Sequence, residues 1–354
     1  MKDAPAIEVP LQRAQTVLSI LRGAGLIDTE LEFCRTDKTI IVPLKQLPSN
    51  QIISNLRQLN ASMIINYRGF VESARPPRNL IEAVKSQIPL NLLEYLPRSY
   101  DIIGDIAIVD LAEPIQPFAA TVGKAIQQIS PHIRLVVRKL GIVSGTYRIR
   151  HLEILVGTGG TETEHREYSC RYVLDLSTVY FNPRLSNERM RVAKQVGTDE
   201  TVVDMFAGVG PFSILIAKMR SNARVYACDI NPAAVKYLEK NLILNRLVDR
   251  VIPIFGDAGK LSQEGVRSQA NRVIMNLPSE AERYLPVALN LLGSEGTIHY
   301  YTFASRNESV DDIRMKVQDV IQRAGRTVRS FSFADVIREI APGRVHVAMD
   351  VLIR

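Results

Sequence analysis

The segment Thr201-Val-Val-Asp-Met-Phe-Ala-Gly-Val-Gly-Pro-Phe-Ser213 carries the residue types best suited to holding a reactive ligand. It reads as a short buried strand, a glycine turn and the start of a helix. Gly208 and Gly210 lack a Cβ and tolerate positive φ, so the backbone there can approach a ligand closely. In doubly wound sheets the ligand sits at the carboxyl end of such a strand. The next strand, Ala223–Ile230, brings Asp229, and an acid in that place can hold two ribose hydroxyls. The glycine pattern is not G-x-G-x-x-G, and no Gly-Lys-Ser/Thr follows it, which excludes a P-loop. A pyrophosphate needs a row of free N–H groups at the helix start, and Pro211 removes one. The loop therefore suits a nucleoside ligand without a pyrophosphate, and S-adenosylmethionine is the obvious one. A lone Gly-x-Gly is more often only a tight turn. Here it has company at the ends of successive strands: Asp229-Ile-Asn-Pro232, Gly256-Asp-Ala258 and Asn276-Leu-Pro278.

These motifs need a sheet to align them. Strands are expected at Thr201–Met205, Arg224–Cys228, Val251–Phe255, Arg272–Met275 and Thr297–Tyr301, with helices including Pro211–Met219, Ala233–Asn245 and Val310–Ala324. Such alternation predicts a mostly parallel sheet covered on both faces. Two final strands, Thr327–Phe333 and His346–Ile353, are joined by a loop containing Ala341-Pro-Gly343. Upstream, residues 80–187 read as a second unit. It holds helices at Leu80–Ile88 and Pro114–Ile129 and strands at Ile106–Val109, Leu135–Val137, Leu152–Val156 and Tyr172–Asp175. Residues 1–71 read as a small α+β module. Its helices are 11–26 and Gln51–Leu59, and its extended runs are Glu30–Thr36, Thr39–Val42 and Ser62–Tyr67. Residues 72–79, with Pro76 and Pro77 among charges, form the expected linker.

At 354 residues the chain has room for two or three domains, and its apolar fraction of 46% is ordinary for a globular protein. No apolar stretch approaches the ~20 residues a membrane span needs. The opening Met1-Lys-Asp-Ala-Pro has no apolar core, so no secretory signal is expected. Cys34, Cys170 and Cys228 show no paired spacing, which points to a reducing cytoplasm rather than a zinc site or a disulfide framework. The five histidines do not cluster with other ligands, so no metal is expected. The net charge of +7 permits a polyanionic partner. Between Arg134 and Arg150 the run Arg134, Arg138, Lys139, Arg148 and Arg150 contains no acid. It is either a solvated basic face or a nucleic-acid footprint.

With these residues assembled, the chain resembles the archaeal and eukaryotic tRNA (guanine-N1)-methyltransferases that modify guanosine 37, next to the anticodon. The resemblance is carried by Leu96-Pro-Arg-Ser-Tyr-Asp-Ile-Ile-Gly-Asp105, Tyr147-Arg148, Tyr180-Phe-Asn-Pro-Arg-Leu-Ser-Asn-Glu-Arg189, Asp204-Met-Phe-Ala-Gly-Val-Gly-Pro-Phe212 and Asn276-Leu-Pro278. The first ~70 residues match only in size and in helix–strand character. The resemblance implies an α/β class I methyltransferase domain, 188–354, Rossmann-like and with an antiparallel last strand. It would be preceded by two smaller α+β domains, an N-terminal module that checks the tRNA elbow and an RNA-binding middle domain. It implies a monomeric cytoplasmic enzyme that uses S-adenosylmethionine and takes tRNA carrying guanosine 37.

The chemistry assigns roles. N1 of guanine carries a proton at neutral pH, so a base must remove it while a donor faces the charge growing on O6. The resemblance makes Glu188 that base, although an acid after Ser186 also fits helix capping. Its helix start favours the charged form, so basicity needs an apolar pocket. Arg148 is the candidate O6 donor, and a phosphate clamp is the competing role, one that suits Arg150. Asn276 can bond the guanine edge, or simply make a turn, while Pro278 shapes the loop. For the cofactor, Asp229 should hold the ribose, Ile230 should flank the adenine, and Phe206 should also contact the cofactor. Asp257 and Ala258 should meet the adenine amino edge, Gly208 and Gly210 the methionine portion, and Arg189 a cofactor-proximal position. Asn276 also borders the cofactor. Enzymes that methylate exocyclic amines usually carry Asn/Asp-Pro-Pro followed by an aromatic. Here Leu277 and Ser279 stand instead, which disfavours that reaction and, by the same comparison, methylation of a wyosine precursor. Two readings compete with N1 methylation: aminocarboxypropyl transfer onto a wyosine precursor, and a non-catalytic tRNA-binding protein.

Overall fold

The computed structural model describes residues 1–58, 63–72, 77–262 and 269–354. The chain divides into two compact units, Met1–Arg78 and Asn79–Arg354. In the first, strands β1 (Lys2–Pro10), β2 (Cys34–Arg35), β3 (Thr39–Pro43) and β4 (Ile64–Phe70) form an antiparallel sheet in the order β2-β3-β1-β4. Helices α1 (Ala14–Gly23) and α2 (Asn50–Gln58) share its core, with Val17, Leu21 and Leu56 packed among Ile7, Val9 and Val42. The central strand β1 was not expected from the sequence. Pro5 and Pro10 mask it, because proline within a run argues against a paired strand. The run Glu30–Thr36 contains only the two-residue β2. Leu59, Ser62 and half of the expected linker, residues 73–76, lie outside the described residues.

The second unit opens with α3 (Leu80–Val84), and Asn79 caps it by accepting from Glu82 N. Strands β5 (Asp101–Ile103), β6 (Ile106–Val109), β7 (Leu135–Ser144) and β8 (Ile149–Gly157) make a four-stranded sheet. Only the β6–β7 pair is parallel, and α4 (Ala119–Ile129) provides that crossover. A hairpin follows, β9 (Glu162–Glu167) and β10 (Cys170–Asp175). β5 and β9 were not expected, being short in one case and almost wholly charged in the other.

Then comes α5 (Ser186–Gln195) and the alternating region: β11 (Thr201–Asp204), α6 (Pro211–Met219), β12 (Arg224–Asp229), α7 (Pro232–Asn245), β13 (Val251–Phe255), β14 (Ala270–Met275), α8 (Ala281–Leu291), β15 (Leu292–Ser305), α9 (Val310–Arg323), β16 (Val328–Ala341) and β17 (Arg344–Ile353). The sheet order is β13-β12-β11-β14-β15-β17-β16. The first five strands are parallel, and β17 runs antiparallel to both of its neighbours. This is the expected α/β sheet closed by an antiparallel pair. Helix α8 carries Pro286 internally, which hides it from a periodicity reading.

The two sheets of this unit share a core. Ile103, Ile106, Leu135 and Val137 join one buried cluster with Tyr172, Val192, Val202 and Phe212. Two asparagines one turn apart on α7 hold the hairpin against it. Asn241 Oδ1 accepts from Val173 N at 2.7 Å, and its Nδ2 donates to the carbonyls of Val173 and Val209 at 3.1 Å each. Asn245 grips Arg171 N and O in the same way, at 3.0 and 2.7 Å. Polar side chains mid-helix thus stand in for a missing strand partner, and Val209 brings the glycine turn into the same contact.

Candidate active site

The glycine turn lies where the sequence places it, between β11 and α6. Gly208 and Gly210 have φ of +56° and +89°, so both use the left-handed region. A Cβ on Gly210 would stand 2.4 Å from Leu238 Cδ1, so that glycine is required by packing as well. A Cβ on Gly208 would meet nothing closer than the Tyr180 carbonyl at 3.8 Å, so its surroundings leave room for a ligand. Pro211 occupies the first helical position after Gly210.

Asp229 ends β12 and is tied to this turn. Its Oδ2 accepts from Gly208 N at 2.7 Å, and its Oδ1 from Asn231 N at 2.8 Å. Burial raises its proton affinity against these bonds. Each oxygen keeps a lone pair, the arrangement two vicinal hydroxyls require. Asp257 caps a short turn by accepting from Gly259 N at 2.9 Å, and burial and then the Asp257 charge raise the Tyr284 hydroxyl above its ordinary value. Tyr284 stands edge-on to Phe206, 5.1 Å between centroids. Ile230 is 39% exposed, while Ala258 is buried. Apolar and polar groups therefore line the ends of β11, β12 and β13 in the sequence a nucleoside needs.

Asp204, at the end of β11, was part of the motif but received no role. It is buried, accepts from Ser213 at 2.7 Å through Oδ2, and leaves Oδ1 without a partner among the described residues. Burial pushes its carboxyl up to about 7. An orphaned carboxylate oxygen beside the turn favours a positively charged ligand and disfavours a pyrophosphate. The residues present thus fit S-adenosylmethionine, whose sulfonium and amino groups are cationic. Asp229→Ala is expected to weaken cofactor binding about 30-fold or more, because it removes two charge-assisted contacts. Calorimetric titration with S-adenosylhomocysteine checks this.

Glu188 lies in the first turn of α5 and is only 7% exposed. The Tyr301 hydroxyl donates to its Oε1 at 2.7 Å, and Arg191 holds both oxygens at 2.7 and 2.9 Å. The surroundings are therefore not the purely apolar pocket expected for a base. Tyr301 packs 6.1 Å from Phe212 of the glycine motif. Two residues along β15, Phe303 N donates to the Pro278 carbonyl at 3.4 Å. That contact joins the Glu188 side of the site to the loop after β14.

The same loop receives Arg148. This residue sits at φ +54° in the turn between β7 and β8, a strained backbone for a non-glycine residue, and its guanidinium donates to the Ser279 hydroxyl. Asn276 ends β14 partly exposed, and no bond to its amide is present among the described residues. The structure thus brings Arg148 to Ser279, in the loop that also carries Asn276 and Pro278. Arg189 is neither solvated nor open: it is 1% exposed, bound to Glu167 at 2.8 and 2.5 Å, and donates to the Asn182 carbonyl at 3.1 Å. It fixes the Tyr180–Asn182 loop against the hairpin, and that loop overlies Gly208.

The basic run is less basic than it reads. Arg134 pairs with Asp105, Arg138 with Glu153 and Lys139 with Asp101. A different cluster takes its place. Arg150 lies over the Tyr180 ring at 5.3 Å, Arg184 joins Lys139 on Asp101, and Arg338 from β16 reaches Asn182. Burial and then Arg184 hold Arg338 below its ordinary value, and burial and then Arg150 do so for Lys139. Four cations thus surround one directly paired carboxylate, a field that favours an anion. Among the described residues no group of His, Cys, Asp or Glu could hold a metal, and no helix is long and apolar enough to cross a membrane.

Comparison with known proteins agrees with this geometry. The TRM5/TYW2 methyltransferase domain matches residues 163–329, and the TYW2 N-terminal domain matches residues 80–161. The chain is 36% identical over 345 residues to the tRNA (guanine(37)-N(1))-methyltransferase Trm5b of Pyrococcus abyssi, covering 98% of each. The structure of an aTrm5 complex with tRNALeu superposes with a TM-score of 0.79 at 29% identity, covering 99% of each chain. The Methanocaldococcus jannaschii TYW2 in complex with AdoMet superposes with a TM-score of 0.57 at 28% identity, covering 72% of this chain and 99% of that one. With the class I sheet and the S-adenosylmethionine cradle already in place, these likenesses settle the family: the chain belongs to the archaeal and eukaryotic tRNA (guanine(37)-N(1))-methyltransferases, enzymes that depend on S-adenosylmethionine.

Proposed function

We propose that this protein methylates N1 of guanosine 37 in tRNA, with Glu188 as the base and Arg148 and Asn276 facing O6. The observation that carries the reading is the meeting of Arg148 with the Asn276–Ser279 loop, beside the strand whose Tyr301 holds Glu188. The β7–β8 turn thereby supplies a donor and helix α5 a carboxylate to the neighbourhood of the cofactor cradle.

Asp229, Asp257, Ala258, Ile230, Phe206 and the Gly208–Gly210 turn hold the cofactor, which supplies an electrophilic methyl group when bound. Arg189 contributes indirectly by fixing the loop above Gly208. Guanine N1 is not nucleophilic until its proton leaves, and Glu188 takes that proton. The charge that passes to O6 is met by the Arg148 guanidinium, which can also reach N7, and by the Asn276 amide. Arg150, Arg184, Arg338 and Lys139 receive the RNA backbone. Residues 80–187 act as the RNA-binding part and residues 1–71 as a module that recognises tRNA outside the anticodon. Carrying all of this, the protein works as a monomer in the cytoplasm.

Two cofactor preparations test the reaction class, one labelled in the methyl group and one in the aminocarboxypropyl carbons. With unmodified tRNA transcript, or with tRNA carrying a wyosine precursor at position 37, only the methyl label is expected to enter RNA. Entry of the other label would make the protein an aminocarboxypropyl transferase, and entry of neither would make it a non-catalytic binder.

A further inference from the structure

Glu188 is one end of a buried chain of charges that the reaction must pass through without leaving any member unpaired. Arg191 lies between Glu188 and Asp350, donating from Nε and Nη2 to the first and from Nη1 and Nη2 to the second. The Phe333 ring covers the guanidinium at 3.9 Å. Asp350 is fully buried and also accepts from Gln195 at 2.7 Å. His299 Nδ1 lies 2.6 Å from Asp350, and His299 Nε2 lies 2.9 Å from Arg272. Arginine can only donate, so Nε2 is the acceptor, Nδ1 bears the proton and the ring is neutral. Arg272 is balanced by Glu200 at 2.9 Å. Arg191 therefore faces two carboxylates and no second cation.

We propose that Asp350 and Arg191 are positioning residues for the base: Asp350 keeps Arg191 paired when Glu188 takes the N1 proton, and Arg191 with Tyr301 selects the oxygen that receives it. This rests on Glu188 serving as the base. A carboxylate has about four acceptor positions. Oε1 is occupied by Tyr301 and Arg191 Nη2, and Oε2 by Arg191 Nε alone, so Oε2 keeps one lone pair for the substrate. The proton passes from guanine N1 to Oε2 and Glu188 becomes neutral. Arg191 would then be a half-buried cation with no carboxylate partner were it not for Asp350. Asp350 retains its charge throughout: burial opposes it, but the bonds from Arg191 and His299 outweigh burial and hold the carboxyl well below its usual range. Asp350 shares the Arg191 guanidinium with Glu188, so the base does not hold that cation alone.

The groups around Glu188 are Arg191 and Gln195 on α5, His299 and Tyr301 on β15, His346 and Asp350 on β17, Phe333 and Arg338 on β16, and Arg272 on β14 with its partner Glu200. Burial holds Tyr301 protonated and keeps both histidines neutral, with His346 pushed down to about 4. These neighbours therefore add no limb of their own to the rate profile between pH 5 and 9.

Single-turnover methyl transfer at saturating cofactor and tRNA, measured from pH 5 to 9, tests the proposal. Asp350→Asn concentrates Arg191 on Glu188, so the acid limb should move down by about one pH unit and the plateau should fall about tenfold or more. Tyr301→Phe removes a donor to the charged form, so the limb should move up. Arg191→Gln removes the cation, also moves it up, and serves if Asp350→Asn does not fold. Loosened packing would lower amplitudes without opposite displacements. Limbs that stay at the wild-type position, or that move together in Asp350→Asn and Tyr301→Phe, overturn the proposal. Glu188→Gln separates the two levels: if it keeps the wild-type rate, Glu188 is not the base. If it loses the rate while the other limbs stay fixed, only the positioning role fails.

Discussion

Glu188→Gln is expected to lower the single-turnover rate of methyl transfer by about 10²- to 10⁴-fold at neutral pH, the contribution of a well-placed general base. Cofactor and tRNA affinities should change by no more than about threefold, because the carboxylate touches neither ligand's binding groups in the free enzyme. Glutamine keeps the size of the side chain and can still accept from Tyr301 at one oxygen. It cannot take a proton, and its amide N–H₂ turns toward Arg191 Nε, which also donates. A melting curve within a few degrees of wild type shows that the loss belongs to chemistry rather than folding. A rate near wild type would remove Glu188 from the mechanism. Burial of this carboxylate at 7% exposure is costly, and that cost makes sense where the group must change charge during turnover.

Arg148→Ala should produce the second large effect, a fall of about 10²-fold or more in rate, with a smaller change in tRNA affinity. The guanidinium reaches Ser279 in the loop that carries Asn276 and Pro278, so it stands where the base edge must lie. Its φ of +54° belongs to the turn it closes, where Arg148 N donates to the Gly145 carbonyl at 3.1 Å, and this turn sets the direction in which the side chain leaves the hairpin. A phosphate contact predicts something different. Affinity would then fall across all RNA sequences, and the dependence of log Kd on log salt would flatten by about one unit. Arg150→Ala or Arg338→Ala should give that second pattern, since both belong to the cation cluster around Asp101 and Tyr180. Rate and salt slope measured on the same three variants separate the roles.

The candidate cofactor residues could be picked out in the sequence because each of them sits at a strand end beside punctuation. Gly208, Gly210, Asp229, Asp257 and Asn276 all fall within a turn or cap whose residue types have local causes. The sheet that aligns them was legible for a related reason: its strands are apolar runs separated by capped helices. The support for Glu188 was not legible. Arg191 lies one helical turn away and was available, but Tyr301, His299 and Asp350 come from strands more than a hundred residues later. In Arg344-Val-His-Val-Ala-Met-Asp-Val-Leu-Ile353 the polar residues at 346 and 350 read as an outer face, yet both are buried. Only tertiary pairing makes a buried aspartate tolerable, and periodicity carries no sign of it. The basic run failed in the opposite way. Arg134, Arg138 and Lys139 look uncompensated along the chain because their acids, Asp105 in the β5–β6 turn, Glu153 on β8 and Asp101 on β5, come from other elements. Arg338, which completes the real cation cluster, is nearly two hundred residues away from Arg150 on the chain.

The most direct measurement is nucleoside mass analysis of tRNA transcripts carrying G37 or A37 after incubation with enzyme and S-adenosylmethionine. A proton acceptor facing N1 and donors facing O6 predict 1-methylguanosine, formed at position 37 of the G37 transcript and absent from the A37 transcript. Methyl on guanine N2 or N7, or equal methylation of the A37 transcript, would contradict the assignment of Glu188, Arg148 and Asn276 to the edge of guanine.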